Sequence, residues 1–367
     1  MRKIFLYLKN FDWILFFSTL LLMIFGLAEI YSIALSKGEA GLSSFKRQIA
    51  FVVFGIIMLF LLSFWDYYNL RSLSNYLYVA GVVVLICVLI FGKTVRGTTG
   101  WFDFGGLSIQ PVEFMKFVLI VYLAKYFSVN LIKVSQLKYM FFSWLAVLIP
   151  AVLVIKQPDF GSALLLFFVW TAMIFFAGFK KRYILLIILM IFMLFASGWL
   201  FFFEDYQKQR LSTFFNPTQS SLDQGYNVTQ AVIAVGSGGI VGRGIGFGSQ
   251  SQLKFLPESQ NDFIFAAVAE ELGFFGVFLI ISFFSVFFYR LLSSVKHINN
   301  DFGIYFILGF SSLIFMEMFI NIGMNMGIMP IVGISLPFMS YGGSAIVSSL
   351  IMVGVVENII IKSKIKY

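Results

Sequence analysis

A carboxylate at the start of an apolar segment is the side chain of this sequence best placed for proton transfer. Asp262 ends the polar stretch 257–262 and precedes the apolar run that begins at Phe263. At a helix N-terminus the helix dipole keeps such a carboxylate ionised. Aspartate is also a common helix N-cap. Two interpretations of Asp262 therefore stand, a catalytic carboxylate and a cap, with Glu258 as the reserve candidate four residues earlier.

A glycine-rich run, 236–248, lies in the same polar region. Backbone N–H groups of such a run can cradle a phosphate. Arg243 and Lys254, with Arg210 further upstream, would supply the cations that a pyrophosphate needs. No strand–turn–helix unit surrounds the run, so it is not a dinucleotide fingerprint. The alternative is a loop whose glycines allow tight turns and close packing.

Charged side chains also occur inside the apolar runs. Glu113 and Lys116 are three residues apart and so share one face of a helix, where they can pair. Charged groups within a bilayer usually face a cavity or one another, so this pair is either a structural ion pair or part of a substrate pathway. Four more carboxylates lie in or near apolar runs, and we expect some of them to cap or pair: Glu270, Glu271, Glu317 and Glu357.

The scarcity of cysteine and histidine excludes several chemistries. Cys87 is the single cysteine and lies in an apolar run, so there is no disulfide framework. His297 is the single histidine, which argues against histidine-based triads and His-rich metal sites. Carboxylate ligands for Mg²⁺ exist, but no spacing specifies a metal site. No cofactor is predicted, and a divalent cation such as Mg²⁺ stays open.

The composition is that of a membrane protein. Apolar residues make up 60% of the 367 and charged residues 12%, with a mean hydropathy of +0.94. An ordinary soluble domain has about 45–50% apolar residues and about 25% charged residues. The pattern predicts one all-α polytopic domain, 1–367, with ten transmembrane helices. The first apolar run is too long for a signal peptide and is expected to be an uncleaved span. The ten spans are expected near 11–35, 48–64, 74–91, 110–128, 139–155, 159–178, 182–203, 263–290, 302–325 and 341–361.

The basic residues predict the orientation. The net charge is +9, but the basic residues lie between the apolar runs, which argues against nucleic acid as a partner. By the ten-span plan, 15 Lys and Arg fall on one side and 6 in the short loops of the other. The richer side is cytoplasmic by the positive-inside rule, and it holds both termini. The large loop 204–262 and the segment 94–108 are then extracytoplasmic. Trp101, in that segment, is either an interfacial anchor or a surface on which a sugar ring or prenyl chain packs.

Four stretches together resemble one family. They are 110–116, 156–164, 255–265 with 269–273, and 333–344. In order, spacing and ten-span plan they resemble the SEDS family (shape, elongation, division and sporulation), and the resemblance covers essentially the whole chain. Each stretch alone has little specificity, but the four together are highly specific.

The resemblance implies a peptidoglycan glycosyltransferase that acts on lipid II and the growing glycan strand in the bacterial cytoplasmic membrane. It also implies a class B penicillin-binding protein as transpeptidase partner. Asp262 falls on the family's essential acidic position, where it would act as the general base. Trp101 falls on the tryptophan of the first large outer loop, and Arg47 on the basic residue before the second span.

Two positions depart from the family pattern. The family often has His-Thr before the aspartate, where this chain has Gln260-Asn261, so a histidine has no role here. It often has Arg before the tryptophan, where this chain has Gly100, and Arg96 is the nearby cation.

Within the family, the loop 248–254 and Val332 resemble the elongation members (RodA) more than the division members (FtsW). Other functions stay open: a flippase or transporter of the lipid-linked precursor, a scaffold for a partner enzyme, or the division or sporulation paralogue. An extracytoplasmic carboxylate beside cations in a large loop favours the enzyme. A transporter would place its key charges near the midplane, where Glu113 and Lys116 are the candidates.

Overall fold

The protein is a bundle of long apolar helices. The structure, a computed structural model, describes residues 7–95, 97–105, 107–130, 136–178, 224–253 and 255–365, with three isolated positions at 189, 193 and 196. Within those residues, seven helices are long and apolar enough to cross a membrane. They are Trp13–Lys37 (α1), Glu39–Phe64 (α2), Tyr67–Phe91 (α3), Leu137–Ile155 (α5), Ile264–Val295 (α9), Asp301–Asn325 (α10) and Gly343–Ile365 (α11).

Two further helices coincide with predicted spans. Pro111–Val129 (α4) has 19 residues but contains three charged side chains, and Phe160–Phe176 (α6) has only 17 residues. Nine of the ten predicted runs therefore coincide with described helices. The seventh run, 182–203, lies outside the described residues, apart from isolated positions, so the number ten stays a prediction.

Short polar side chains start these helices. Asp12 accepts a hydrogen bond from the Leu15 backbone N–H and caps α1, and Asp66 does the same for α3 through the Tyr68 N–H. Asn300 caps α10 through the Phe302 N–H. Each cap satisfies an N–H group that the first turn of a helix leaves without an intrahelical partner.

A small antiparallel sheet interrupts the helical pattern between α3 and α4. Its strands are Lys93–Val95 (β1), Thr98–Phe104 (β2) and Leu107–Ile109 (β3), in the order β1-β2-β3. The helical class predicted from the sequence is confirmed, but the segment 94–108 is a sheet and not the unstructured loop that the all-α prediction implied.

The core lies around the last two helices. Inside the structure α11 is 89% buried and α10 67% buried, whereas α3 is 17% buried and so presents its surface to lipid. Small residues bring α2 and α11 together, because a Cβ at Gly354 would lie 2.5 Å from the carbonyl oxygen of Leu59. The middle of α11 is thereby held against the second half of α2.

The described part of the large loop is folded onto α9. It contains the helices Gln224–Ser237 (α7) and Ser249–Gln252 (α8), which the sequence did not predict. The backbone of α9 breaks at Gly273, whose φ is +63° and ψ −158°. The break divides α9 into a short first part, up to Leu272, and a long apolar part that begins at Phe274.

Candidate active site

Asp262 is positioned through its backbone. The N-cap of α9 is Phe263, whose side chain makes no capping hydrogen bond, and Asp262 lies one residue before this cap position. The Asp262 carbonyl oxygen accepts hydrogen bonds from the side-chain amides of Asn321 and Asn325, both at 2.9 Å. Both asparagines are fully buried in α10. The half-buried Asp262 side chain is therefore held at the start of α9 by bonds to its carbonyl group.

The segment before Asp262 is fastened to the 333–344 stretch. The Ser340 hydroxyl donates to the Asn261 carbonyl at 2.6 Å, and the Tyr341 N–H donates to the Gln260 carbonyl at 2.8 Å. Gly333 adopts a φ of +72°, and a Cβ there would lie 3.7 Å from Asp262 Oδ2. A glycine is needed at this position, because a side chain would be strained and would contact the aspartate.

Gln48 connects this region to Arg47. The Gln48 side chain is buried, donates to the Ser340 carbonyl at 3.1 Å and accepts from the Gly342 N–H at 3.2 Å. The sequence interpretation missed this residue, although a glutamine within an apolar run beside a predicted site residue is a usable signal. Arg47 and Lys46 are exposed on the same turn of α2 and line an open groove of about 620 Å³.

Glu258, the reserve candidate, is part of a local turn. Its φ is +53°, its carboxylate accepts from the Asn261 side-chain amide at 2.8 Å, and its carbonyl accepts from the Asn261 N–H at 2.9 Å. A non-glycine residue with positive φ is uncommon and strained. These bonds give Glu258 a role in shaping the turn that leads to Asp262.

The 110–116 and 156–164 stretches meet the same region. The Gln110 side chain donates to Asp159 at 3.2 Å, and its backbone N–H donates to the Ser344 hydroxyl at 2.9 Å. A Cβ at Gly161 would lie 2.5 Å from the Val332 carbonyl oxygen. The 156–164 stretch is therefore in direct contact with the residue that precedes the 333–344 stretch. All four stretches that resemble the family therefore converge on the surroundings of Asp262.

Glu113 and Lys116 form an ion pair that has a third member. Lys116 Nζ lies 2.8 Å from Glu113 Oε2 and 2.6 Å from Glu317 Oε1, and the lysine is buried. The pairing predicted from the sequence is confirmed, and Glu317 of α10 joins it. Two carboxylates around one ammonium leave the triad with a net charge of −1.

Trp101 lies on β2, next to the 156–164 stretch. The backbone N–H of Thr99 donates to the Gln157 carbonyl at 3.3 Å, and a Cβ at Gly100 would lie 3.3 Å from Gln157 Oε1. A larger residue at position 100 would thus require Gln157 to move. The Trp101 side chain is half-buried.

The glycine-rich run is a packing element. Its Arg243 and Gly244 N–H groups donate to the carbonyls of Glu270 and Glu271 at 3.0 and 2.9 Å. A Cβ at Gly242 would lie 2.2 Å from the Glu271 carbonyl oxygen. These N–H groups donate to α9 and so are not available to a phosphate. The run is therefore described by the packing interpretation and not by the phosphate cradle.

The Glu270 and Glu271 carboxylates, both fully buried, complete this packing. Glu270 accepts from the N–H groups of Gln250 and Ser251 at 2.8 and 3.0 Å. Glu271 accepts from Ser32 Oγ (2.6 Å), the Gln252 side chain (2.8 Å) and the Gly246 N–H (3.0 Å). They are the capping carboxylates that the sequence led us to expect.

The predicted cations are placed unevenly. The exposed Arg243 donates to the Ser249 hydroxyl at 2.7 Å, and that hydroxyl donates to Glu270 Oε1 at 3.3 Å. Arg210, Lys254 and Arg96 lie outside the described residues. Among the residues that the structure describes, no group of three or more His, Cys, Asp or Glu side chains could hold a metal ion.

Comparison with known proteins agrees with this geometry. The family model of the FtsW/RodA/SpoVE cell cycle proteins matches residues 12–365. Stage V sporulation protein E of Bacillus subtilis (strain 168) is 36% identical over 357 residues, which cover 95% of this chain and 96% of that protein. Peptidoglycan glycosyltransferase MrdB of Escherichia coli (strain K12) is 32% identical over 343 residues, covering 93% and 92%.

Two solved structures share the fold. A chain from a study of how a peptidoglycan synthase complex coordinates polymerization and crosslinking has a TM-score of 0.80 and 26% identity, covering 97% of this chain and 98% of that one. The crystal structure of Thermus thermophilus rod shape determining protein RodA has a TM-score of 0.72 and 25% identity, with the same coverage. The match extends over nearly the whole chain, and it includes the four stretches that meet at Asp262. This protein belongs to the FtsW/RodA/SpoVE family of multi-pass membrane proteins, the SEDS family.

Proposed function

We propose that this chain polymerises lipid II on the extracytoplasmic face of the membrane, with Asp262 as the general base. It is a peptidoglycan glycosyltransferase, the activity for which its relatives are named. The substrate and the roles of individual residues are the finer part of the proposal. One observation carries them: four distant stretches converge on Asp262, which α10 holds by its carbonyl group.

The reaction joins two sugars. The 4-hydroxyl oxygen of the acceptor attacks C1 of the donor, and the bond from C1 to the lipid pyrophosphate breaks. Its electron pair leaves with the pyrophosphate, and the hydroxyl proton passes to the Asp262 carboxylate as the new bond forms. The transition state resembles an oxocarbenium ion, as in other glycosyl transfers. Because Glu258 is engaged in its turn, a single displacement with inversion is the simplest course.

The leaving pyrophosphate needs positive charge more than a proton. Arg47 and Lys46, in the open groove on α2, can supply it, and Gln48 ties this turn to the stretch that contacts Asp262. Arg210 and Lys254 stay candidates from the sequence. Arg243 is less well placed, because its guanidinium is bonded to Ser249 on the far side of the glycine-rich run.

The purified full-length chain, incubated with lipid II with and without a class B penicillin-binding protein, tests the activity. Polymer should form, and the partner should change its rate. A flippase would instead move lipid II between the leaflets of a vesicle and form no polymer, which contradicts the proposal.

The position of the ion triad does not distinguish the enzyme from the flippase. Lys116 lies five residues inside α4, or about 8 Å at 1.5 Å per residue. Half of a hydrocarbon core is about 15 Å. The triad thus lies about halfway between one end of α4 and the midplane, where transporters bind their substrates. Glu113 and Lys116 are proposed to line the route that the lipid-linked substrate takes.

Trp101 is proposed as a surface on which a sugar ring or prenyl chain packs. Trp101→Ala should raise the KM for lipid II by up to about tenfold, the scale of an aromatic contact. Trp65→Ala is the matched control, because that tryptophan, at the C-terminal end of α2, is also partly exposed. Equal effects of the two substitutions would remove the assignment of Trp101.

The orientation is proposed from the distribution of basic residues. With both termini in the cytoplasm, reporter fusions after Lys138 and after Asp223 should report opposite sides of the membrane. The same side for both would contradict the topology and, with it, an outer-leaflet substrate.

An elongation role is proposed from the loop 248–254 and Val332. Similarity to a sporulation protein at 36% identity and to MrdB at 32% supports the family but leaves its branches open. Depletion of the protein should give round cells that still divide. Filaments of normal width would point to a division role instead.

A further inference from the structure

A second pocket lies at the end of the molecule opposite Asp262, where α1 begins and α9 and α11 end. Its volume is about 410 Å³, within the range of small-molecule sites. It is lined by Asp12, Arg290, Lys296, His297 and Lys364, among others. The mechanism proposed above uses none of these residues.

The lining is positively charged. Arg290 and Asp12 neutralise each other, since the Arg290 Nε lies 3.1 Å from one Asp12 oxygen and Nη2 bonds the same carboxylate. Lys364 donates one of its three N–H groups to the Asn10 carbonyl at 2.9 Å, which leaves two for a ligand. In the described part of the chain, Lys296 forms no ion pair and is exposed.

Helix dipoles reduce this charge but do not cancel it. Lys296 is the C-cap of α9, and Lys364 lies in the last turn of α11. Each helix C-terminus contributes about half a negative charge, against one full positive charge on each lysine. The carboxylate of Glu357, which accepts from the Asp12 N–H, is fully buried and does not line the pocket. The lining itself therefore keeps a net positive charge, and an anion is the ligand that it can bind.

The position of the pocket relative to the membrane indicates which kind of anion binds. Three apolar helices end around it, so it opens at the level of the lipid headgroups, and basic pockets between transmembrane helices commonly bind acidic headgroups. We propose that this pocket binds the phosphate of an anionic phospholipid headgroup. In the orientation proposed above, the lipid belongs to the inner leaflet. The binding itself depends neither on that orientation nor on glycosyl transfer.

Native mass spectrometry of the purified full-length chain, titrated with phosphatidylglycerol or phosphatidylcholine, tests the proposal. The wild type should retain phosphatidylglycerol in preference to phosphatidylcholine. The double substitution Lys296→Gln/Lys364→Gln should weaken phosphatidylglycerol binding by about 30-fold, because each basic side chain contributes about a factor of five near a charged headgroup. The control is Lys125→Gln/Lys138→Gln, which removes the same charge from the same end of the bundle and should leave binding unchanged.

Inorganic phosphate, added as a competitor, distinguishes the two sources of this chemistry. Persistence of phosphatidylglycerol in millimolar phosphate supports a lipid site, and its displacement would show that free phosphate occupies the pocket instead. Equal retention of both lipids, or equal losses in the two double variants, would overturn the proposal. Circular dichroism of each variant verifies that it is folded.

Discussion

Asp262 and the Glu270–Glu271 pair lie only two turns apart on the outer part of α9, yet they are held in opposite ways. Asp262 is fixed by its carbonyl group, to which two asparagines of α10 donate. Glu270 and Glu271 are fixed by their carboxylates, to which backbone N–H groups and side chains of the loop donate. These bonds to Asp262 are thus to its backbone, whereas those to Glu270 and Glu271 include several to their side chains.

The same contrast separates the two segments around them. The segment 258–262 is fastened to the 333–344 stretch by bonds to carbonyl groups. The glycine-rich run is fastened to α9 by its own N–H groups, the groups that a phosphate would have needed. One segment thus leads to the Asp262 side chain at the start of α9, whereas the other stabilises that helix.

The largest effect should come from exchanging carboxylates for amides in the two places. Asp262→Asn leaves the backbone carbonyl in place, so the protein should fold normally and lose about 10²–10⁴-fold in polymerisation rate, as for a missing general base. Glu271→Gln should do the reverse. Its amide would face donors, costing about 1–3 kcal/mol of stability, while the activity of the folded fraction stays near that of the wild type.

Polymer yield from lipid II and thermal unfolding in detergent are measured for both variants. Glu258→Gln is the control for Asp262→Asn, because it removes a carboxylate four residues away and should retain most of the activity. Wild-type polymerisation by Asp262→Asn would place the base elsewhere.

A smaller loss of activity is expected when a hydrogen bond to the Asp262 carbonyl is removed. Asn321→Ala removes the bonds to the Asp262 and Ile334 carbonyls and should lower kcat by about tenfold to a hundredfold through misplacement of the carboxylate. Asn358→Ala is a matched substitution, since this buried asparagine also bridges two backbone segments, but at the opposite end of α2. Both variants should lose similar stability. If both also lose similar kcat, Asn321 is merely structural.

The smallest effect is expected from substituting two glycines of the glycine-rich run that have nearly equal φ angles. Gly242 and Gly246 have φ values of +80° and +81°, but only Gly242 is pressed against the Glu271 carbonyl. Gly246→Ala should cost about 1 kcal/mol from backbone strain alone. Gly242→Ala should cost clearly more, because its Cβ meets backbone. Equal shifts in melting temperature would show that close packing does not define this run.

Hydropathy and charge alone predicted the helices with good fidelity. The predicted span 74–91 ends with α3 at Phe91, and the predicted span 302–325 nearly matches α10. The pairing of Glu113 with Lys116 also followed from their spacing. These are local properties, which a short window of sequence contains.

The contacts that build the site are not local. The bond from Gln48 to Ser340 joins residues 292 positions apart, and no periodicity indicates it. The packing of Gly161 on Val332 is of the same kind. The sheet at 93–109 was missed because its strands are short, at three to seven residues, and lie between two long apolar runs. The function of the glycine-rich run depends on the break at Gly273, which only the packed structure reveals.

The length of α9 also bears on the height of Asp262 above the bilayer. Counting about 20 residues from Arg290, the length that spans a hydrocarbon core of about 30 Å, reaches Glu270. The remaining residues up to Asp262 can raise its carboxylate by up to about 12 Å beyond that boundary. A pyrophosphate anchored at the headgroup layer would hold its first sugar at a similar elevation. The helix would thus work as a spacer that fixes the distance between the lipid surface and the sugar bond, and shortening it should change the reach of the enzyme without altering its chemistry.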